Sequence, residues 1–159
     1  MSDWIRQAFT DGLYGKLAHY DVLKALAGIT PEEAKKKPYK DGHSIWDHLF
    51  HIVFWHDITM KAIQGKAIDW DAIKGTDWLE SDAKLTKQSW KKLVDSFANH
   101  LIELKELAET KDLTQLIKGF GDMPLGKGIL VEIQHNSYHI GQIIILRQLQ
   151  GNWPPPDDK

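Results

Sequence analysis

The chain has no cysteine among its 159 residues. That excludes disulfides, thiolate metal ligands and a cysteine nucleophile, so any metal site must use His, Asp, Glu or water. Charge of one sign is also missing: the formal net charge is −2, and no global basic field draws the protein to nucleic acid or an anionic membrane. Lysines cluster at Lys35-Lys36-Lys37 and Lys91-Lys92, the pattern of a solvated helix face. No basic n-region leads into an apolar segment at the N-terminus, so no secretory signal is read there and the expected location is the cytoplasm. The longest apolar run, Ile129 to Leu149, is interrupted by Gln134, His135, His139, Gln142 and Arg147; it reads as a buried helix and not as a membrane span. Internal repeats, low-complexity segments and alternating strand patterns are absent as well.

What is present is an ordinary globular composition, 42% hydrophobic and 26% charged, with enough length for one domain over residues 1–159 and a real core. Eight histidines and seven tryptophans are many for this length. Tryptophans bring large buried area; the histidines need individual accounts.

Four long segments carry helical periodicity. The first runs from Asp3 to Ala27, on Trp4, Ala8, Leu13, Leu17, Tyr20, Leu23, Leu26 and Ala27, weakened at Gly12 and Gly15 and stopped by Gly28 and Pro31. Thr30-Pro31-Glu32-Glu33 predicts a short capped turn. The second helix is predicted from Ser44, as N-cap with Asp47 as capping-box partner, to about Gln64. The third spans Lys84 to Ala108 and the fourth Gly128 to Gln150, with Gly151 and Pro154-Pro155-Pro156 closing it. Between them, residues 67–80 read as a structured loop and 111–128 as a glycine-rich connection. An antiparallel bundle is the default arrangement for four such helices, although the two long connections leave the helix order open.

Histidine placement is the informative signal. His135 and His139 are four residues apart on the fourth helix, about 40° apart around its axis and about 6 Å along it. Two imidazoles at that spacing can share one metal ion. They fall in the stripe Val131, His135, His139, Gln142, Leu146 and Leu149. The opposite side carries Ile133, Ile140 and Ile144, and a helix apolar on both sides calls for a further covering element or a second copy. On the second helix His51 shares a stripe with Trp55, Ile58 and Ala62. Bundle cores are where metal sites are built from facing helices, and three imidazoles with open positions suit Zn²⁺, Ni²⁺ or Fe²⁺. A lone histidine on an apolar face is more often a hydrogen-bonded core residue; the pair and the third inward histidine together point to a metal.

The stretches around these histidines resemble a known family. His43-Ser44-Ile45-Trp46-Asp47-His48-Leu49-Phe50-His51-Ile52-Val53-Phe54-Trp55 is similar to the second-helix signature of the DinB/YfiT-like superfamily. His135-Asn136-Ser137-Tyr138-His139-Ile140-Gly141-Gln142-Ile143 resembles its fourth-helix motif, and Gly151-Asn152-Trp153-Pro154 fits its close. The resemblance covers nearly the whole chain. It implies an all-α four-helix bundle of up-down-down-up order, usually a homodimer, with one divalent metal on His51, His135 and His139. It also implies a possible chemistry: metal-dependent transfer of a low-molecular-weight thiol (bacillithiol, mycothiol or glutathione) to a small electrophile. Such a mechanism suits a chain without cysteine, because the cosubstrate brings the thiol.

Two alternatives stand beside the thiol S-transferase. One is metal-dependent hydrolysis with water as nucleophile. It wants a nearby general base, and no inward carboxylate is evident at a convincing spacing except Asp47, which is equally suited to capping. The other is a non-enzymatic, stress-related metal-binding dimer, since a shared fold does not fix function. His48, one turn before His51, is the rival second-helix ligand. Gln142 is expected to make a helix-to-helix hydrogen bond or to contact a ligand. Trp70 and Trp78 are expected either to wall the site or to pack on the bundle. His19, His43, His56 and His100 have no partner that the sequence can name.

Overall fold

A computed structural model describes residues 3–16, 18–80 and 83–155. Leu17 and Pro156, which the periodicity and the closing proline run included, lie outside those residues. The fold is all-α. Four long helices carry it: α1 (Asp3–Tyr14), α3 (Ile45–Ile63), α5 (Lys87–Thr110) and α6 (Leu125–Leu149), with one-turn helices α2 (Pro31–Ala34) and α4 (Trp70–Ile73) between them. Helix α3 packs on α5 and α6, and α1 packs on the same two. The core draws on all four: Leu13 from α1, Ile45, Leu49 and Ile52 from α3, Phe97, Leu101 and Leu104 from α5, and Ile129, Ile140 and Ile143 from α6 are each at most 1% exposed. Burying a side chain of this size contributes roughly 1.5–3 kcal/mol, so these positions dominate the helix contacts.

Two helix starts follow the capping chemistry read from the sequence, and α5 starts three residues later than the expected Lys84. The Ser44 hydroxyl accepts from the Asp47 amide at 3.2 Å, while Asp47 Oδ2 accepts from the Ser44 amide and hydroxyl, each at 2.7 Å. Thr30 and Glu33 repeat the arrangement at α2. Helix α5 begins after Thr86, which is capped reciprocally by Ser89.

Two boundaries also depart from the periodicity. The first helix ends at Tyr14 and not at Ala27. Gly15 takes a left-handed backbone, φ 76°, and a Cβ there would collide with the His19 ring. The chain beyond it keeps helix-like spacing only because Val22, Ala25 and Leu26 drop into the core from an irregular segment with a 3₁₀ turn at Lys24–Leu26. Helix α6 starts at Leu125, three residues early. Gly126 and Gly128, read as breakers, are contact residues. A Cβ on Gly126 would lie 3.2 Å from Leu113 Cβ, and one on Gly128 would lie 2.9 Å from Ile117 Cδ1. Those neighbours belong to the preceding connection, where β1 (Leu116–Ile117) pairs antiparallel with β2 (Met123–Pro124). Strands of two residues leave no alternation for a sequence pattern to reveal.

Helix α6 is not covered on both sides. Leu130, Val131, Tyr138, Ile145 and Leu149 are 40–72% exposed. Its inward face instead follows Ile129, Glu132, Asn136, His139, Ile140, Ile143 and Arg147. Arg147 is buried because its guanidinium donates to the carbonyls of Ala25 (2.7 Å) and Asn152 (3.0 Å), tying the C-terminal segment to the 3₁₀ turn. No helix among the described residues is long and apolar enough to cross a membrane.

Candidate metal centre

The packing of α3 on α6 brings the three predicted histidines together. One ring nitrogen from each of His51, His135 and His139 lies within 4.8 Å of the others. The ring centroids are 5.0 Å apart for His51–His135, 4.8 Å for His51–His139 and 4.6 Å for His135–His139. His51 and His139 are buried and His135 is half-buried. Among the described residues no carboxylate joins the group.

Two of the rings are held from outside. His51 Nδ1 donates to the Asp77 carbonyl at 2.9 Å, which fixes the tautomer and turns Nε2 toward the other two rings. The Asp77 carboxylate stands 3.4 Å from the same nitrogen. Trp78 stacks on His51 at 4.1 Å and 16° and, on its other side, on His43 at 3.8 Å and 20°. The loop between α4 and α5 therefore walls the site through Trp78, whereas Trp70 packs on Phe120 at 5.6 Å. His48 Nδ1 meets His139 Nδ1 at 3.1 Å, close enough for one ring to donate to the other. That contact makes His48 a support for His139, and it stands outside the three converging nitrogens.

Electrostatics favour neutral rings. Burial, reinforced by the facing His51, pushes His135 down to about 4. Burial and the other three rings push His139 down to about 3. Burial and neighbouring His43 push His48 down to about 4. Neutral imidazole is the form that donates a lone pair to a metal. Three ring nitrogens within 4.8 Å of one another, on rings of which two are held from behind, fit a divalent ion of the zinc or nickel kind.

Two cavities lie near the group, one of them reaching it through His135. One, of about 270 Å³, includes His43, His48 and Gln142 in its lining. The Gln142 Oε1 is buried there without a hydrogen-bond partner, so the helix-to-helix bond expected of it is not made by that atom. The other, of about 180 Å³, is lined by Trp55, Phe120, Val131, Glu132 and His135.

The carboxylate question resolves against the sequence reading. Asp47 is committed to the α3 cap, yet an inward carboxyl does exist. Glu132 is 3% exposed, one turn before His135. It belongs to a second buried polar cluster: the Thr59 hydroxyl donates to Glu132 Oε1, His56 Nε2 meets Asn136 Oδ1 at 2.9 Å and lies 3.4 Å from Glu132 Oε2. The predicted stripe was centred on Val131, and Glu132 fell beside it. Rotating the inward meridian to Ile129, Asn136 and Ile143 was the available signal. Partners also emerge for the unassigned histidines. His19 hydrogen-bonds Ser137 at 2.9 Å, His100 Nε2 pairs with Asp57 at 3.1 Å, and His43 and His56 are placed as above.

No curated protein matches this chain, and no solved structure does. A family model does: that of the DinB superfamily, over residues 16–143. The match spans both histidine-bearing segments and most of the chain, and with an all-α fold that joins His51 to His135 and His139 it leads to one conclusion: this chain belongs to the DinB superfamily.

Proposed function

We propose that His51, His135 and His139 bind one divalent metal ion, and that the centre activates a small-molecule nucleophile supplied from solution. The observation carrying this reading is the convergence of three imidazole nitrogens within 4.8 Å of one another, with no fourth His, Asp or Glu joining them among the described residues. When bound, such an ion supplies Lewis acidity and a lowered pKa for a coordinated thiol or water. The chain's own residues orient His51 through Asp77 and Trp78 and His139 through His48, keep His135 and His139 unprotonated by burial, and leave a cavity beside His135 for reactants.

The nucleophile we favour is a low-molecular-weight thiol, with a small electrophile as its acceptor. The absence of any protein thiol and the all-imidazole donor set support it. In the test, zinc- or nickel-loaded protein is incubated with glutathione, bacillithiol or mycothiol and an activated halo-aromatic. The carbon–sulfur bond forms as the carbon–halogen bond breaks, and halide and the thiol proton are released. Thioether formation above the uncatalysed rate, abolished in His51→Ala and by chelation, is the expected result. Silence across the panel with metal bound would leave a non-enzymatic metal-binding protein.

A second reading, metal-dependent hydrolysis, is favoured by one observation: the buried Glu132 carboxyl shares a cavity with His135, supplying the acid–base group such chemistry needs. Ester or amide cleavage without added thiol distinguishes it. We also propose that two copies associate through the exposed apolar stripe of α6, Leu130, Val131, Tyr138 and Ile145, since an apolar patch on a helix face is a common mark of an interface. Sedimentation of Tyr138→Glu, expected to be monomeric, checks it against a dimeric wild type.

A further inference from the structure

The connection that carries Asp77 and Trp78 is weakly anchored. From Gln64 to Glu80 no residue is buried, and Ile68 and Leu79 are only partly covered against the core. The hydrogen bonds made by residues 67–79 close locally, from Ile73 and Ala72 to Asp69 and from Thr76 to Ile73. Among the described residues one alone leaves the segment for the bundle, from His51 Nδ1 to the Asp77 carbonyl. Gly75, two residues before that carbonyl, has a left-handed backbone, φ 78°, and a Cβ there would meet nothing within 4 Å. A segment with few buried contacts and one outside hydrogen bond opens locally at small cost, and a glycine in open space suits the pivot.

That single anchor is the ring of a metal-site histidine. A neutral imidazole carries one N–H, on either nitrogen. With the proton on Nδ1, His51 donates to Asp77 and presents the Nε2 lone pair to the other two rings. With the proton on Nε2, lone pairs face each other at the Asp77 carbonyl and the anchor is lost. A divalent ion on Nε2 excludes that second tautomer.

We propose that residues 74–79 form a flap latched by metal binding, with His51 as the latch and the Asp77 main-chain carbonyl as the catch. The latched flap holds the Trp78 indole between His51 and His43. His43 lines the cavity of about 270 Å³, so the indole closes the centre from that side and leaves the cavity beside His135 as the side for reactants. Linkage makes the effect reciprocal: the factor by which the ion favours closure is the factor by which closure favours the ion. The inference rests on the metal-centre reading and adds its regulation.

Limited trypsin digestion tests it, on full-length metal-free and zinc-loaded protein with metal content assayed on the same samples. Lys74 is exposed, and cutting after it reports how much of the flap is open. Zinc is expected to slow the cut between Lys74 and Gly75 about tenfold, while the cut between Lys118 and Gly119, in the other long connection, keeps its rate. Long-range ¹⁵N spectra are expected to show the His51 proton fixed on Nδ1 in the zinc-loaded protein alone. Asp77→Ala is expected to keep the slowing, because the catch is main chain. One zinc bound with no slowing at Lys74, equal slowing at Lys118, or slowing lost in Asp77→Ala overturns the latch and leaves the metal centre standing. A protein that binds no zinc overturns both.

Discussion

Two histidine clusters are built on the same pair of helices, and they do opposite things with the same kind of side chain. Toward the start of α3, His51 meets His135 and His139 of α6, and the three nitrogens converge on one another with no carboxylate among the described residues joining them. Farther along α3, His56 and Thr59 meet Glu132 and Asn136 of α6, and the groups pair off: hydroxyl to carboxyl, imidazole to amide. Burial is severe in both. The difference is what faces each ring. A set whose groups pair off, even with Glu132 Oε2, His56 Nδ1 and Asn136 Nδ2 left over, is a structural knot that fixes the register of two helices. A donor set of bare nitrogens, satisfied only from behind by Asp77 and His48, is arranged for something that binds from in front. The knot holds α3 and α6 in the register that aligns His51 with His135 and His139, so the two clusters are coupled through the helices they share.

Substitutions at the two clusters should therefore separate cleanly. The largest effect is expected at the converging set: His135→Ala should weaken zinc or nickel binding by more than the roughly 100-fold that loss of a supporting group can cost, as measured by competition with a chromogenic chelator, while the melting temperature of the metal-free protein changes little. His56→Ala should do the reverse. Removing a fully buried ring and stranding Asn136 should cost about 3 kcal/mol of stability in denaturant unfolding, with one metal per chain still bound.

The pH response sharpens the same contrast. Burial raises Glu132 from 4.5 to about 7, so between those values the folded state holds a proton that the unfolded chain has released. Stability from this group is thus fully present below about 4.5 and declines as pH rises toward 7. Burial lowers His56 from 6.5 to about 3, so in that interval the unfolded chain takes up a proton that the folded state refuses, and stability declines as pH falls. Thermal melts of Glu132→Gln should lack the first decline and keep the second. A smaller effect is expected behind the metal site: Trp78→Ala, which removes the ring stacked on His51, should weaken metal binding roughly tenfold. Smallest of all, Asp77→Ala should change it within about fivefold, because the main-chain carbonyl makes the 2.9 Å bond and the partly exposed carboxylate adds only a weak ion pair.

Much of this was legible in the sequence. Periodicity located four long helices, Ser44 and Thr30 announced their caps, and the four-residue spacing of His135 and His139 with an inward His51 named the converging set. Where the reading failed, the cause was a property that one segment does not carry. Tyr14 ends α1 because Gly15 turns the backbone, yet the irregular chain beyond it still sends apolar residues inward at helix-like intervals. Glu132 and Asn136 fell outside the expected inward stripe because that stripe was rotated toward Val131, which is 40% exposed. His56 had no visible partner because its partner lies 80 residues away. Trp78 could be read as wall or as packing until the loop fold placed it between two imidazoles.

The central claim is that bare, converging nitrogens bind metal and paired ones do not. Elemental analysis of untagged protein tests it most directly, on the wild type beside His51→Ala, His139→Ala and His56→Ala, each after equilibration with zinc and removal of excess. One metal per chain in the wild type and in His56→Ala, with none in the other two, is the predicted result. Metal absent from the wild type, or retained when His51 and His139 are each removed, would contradict it.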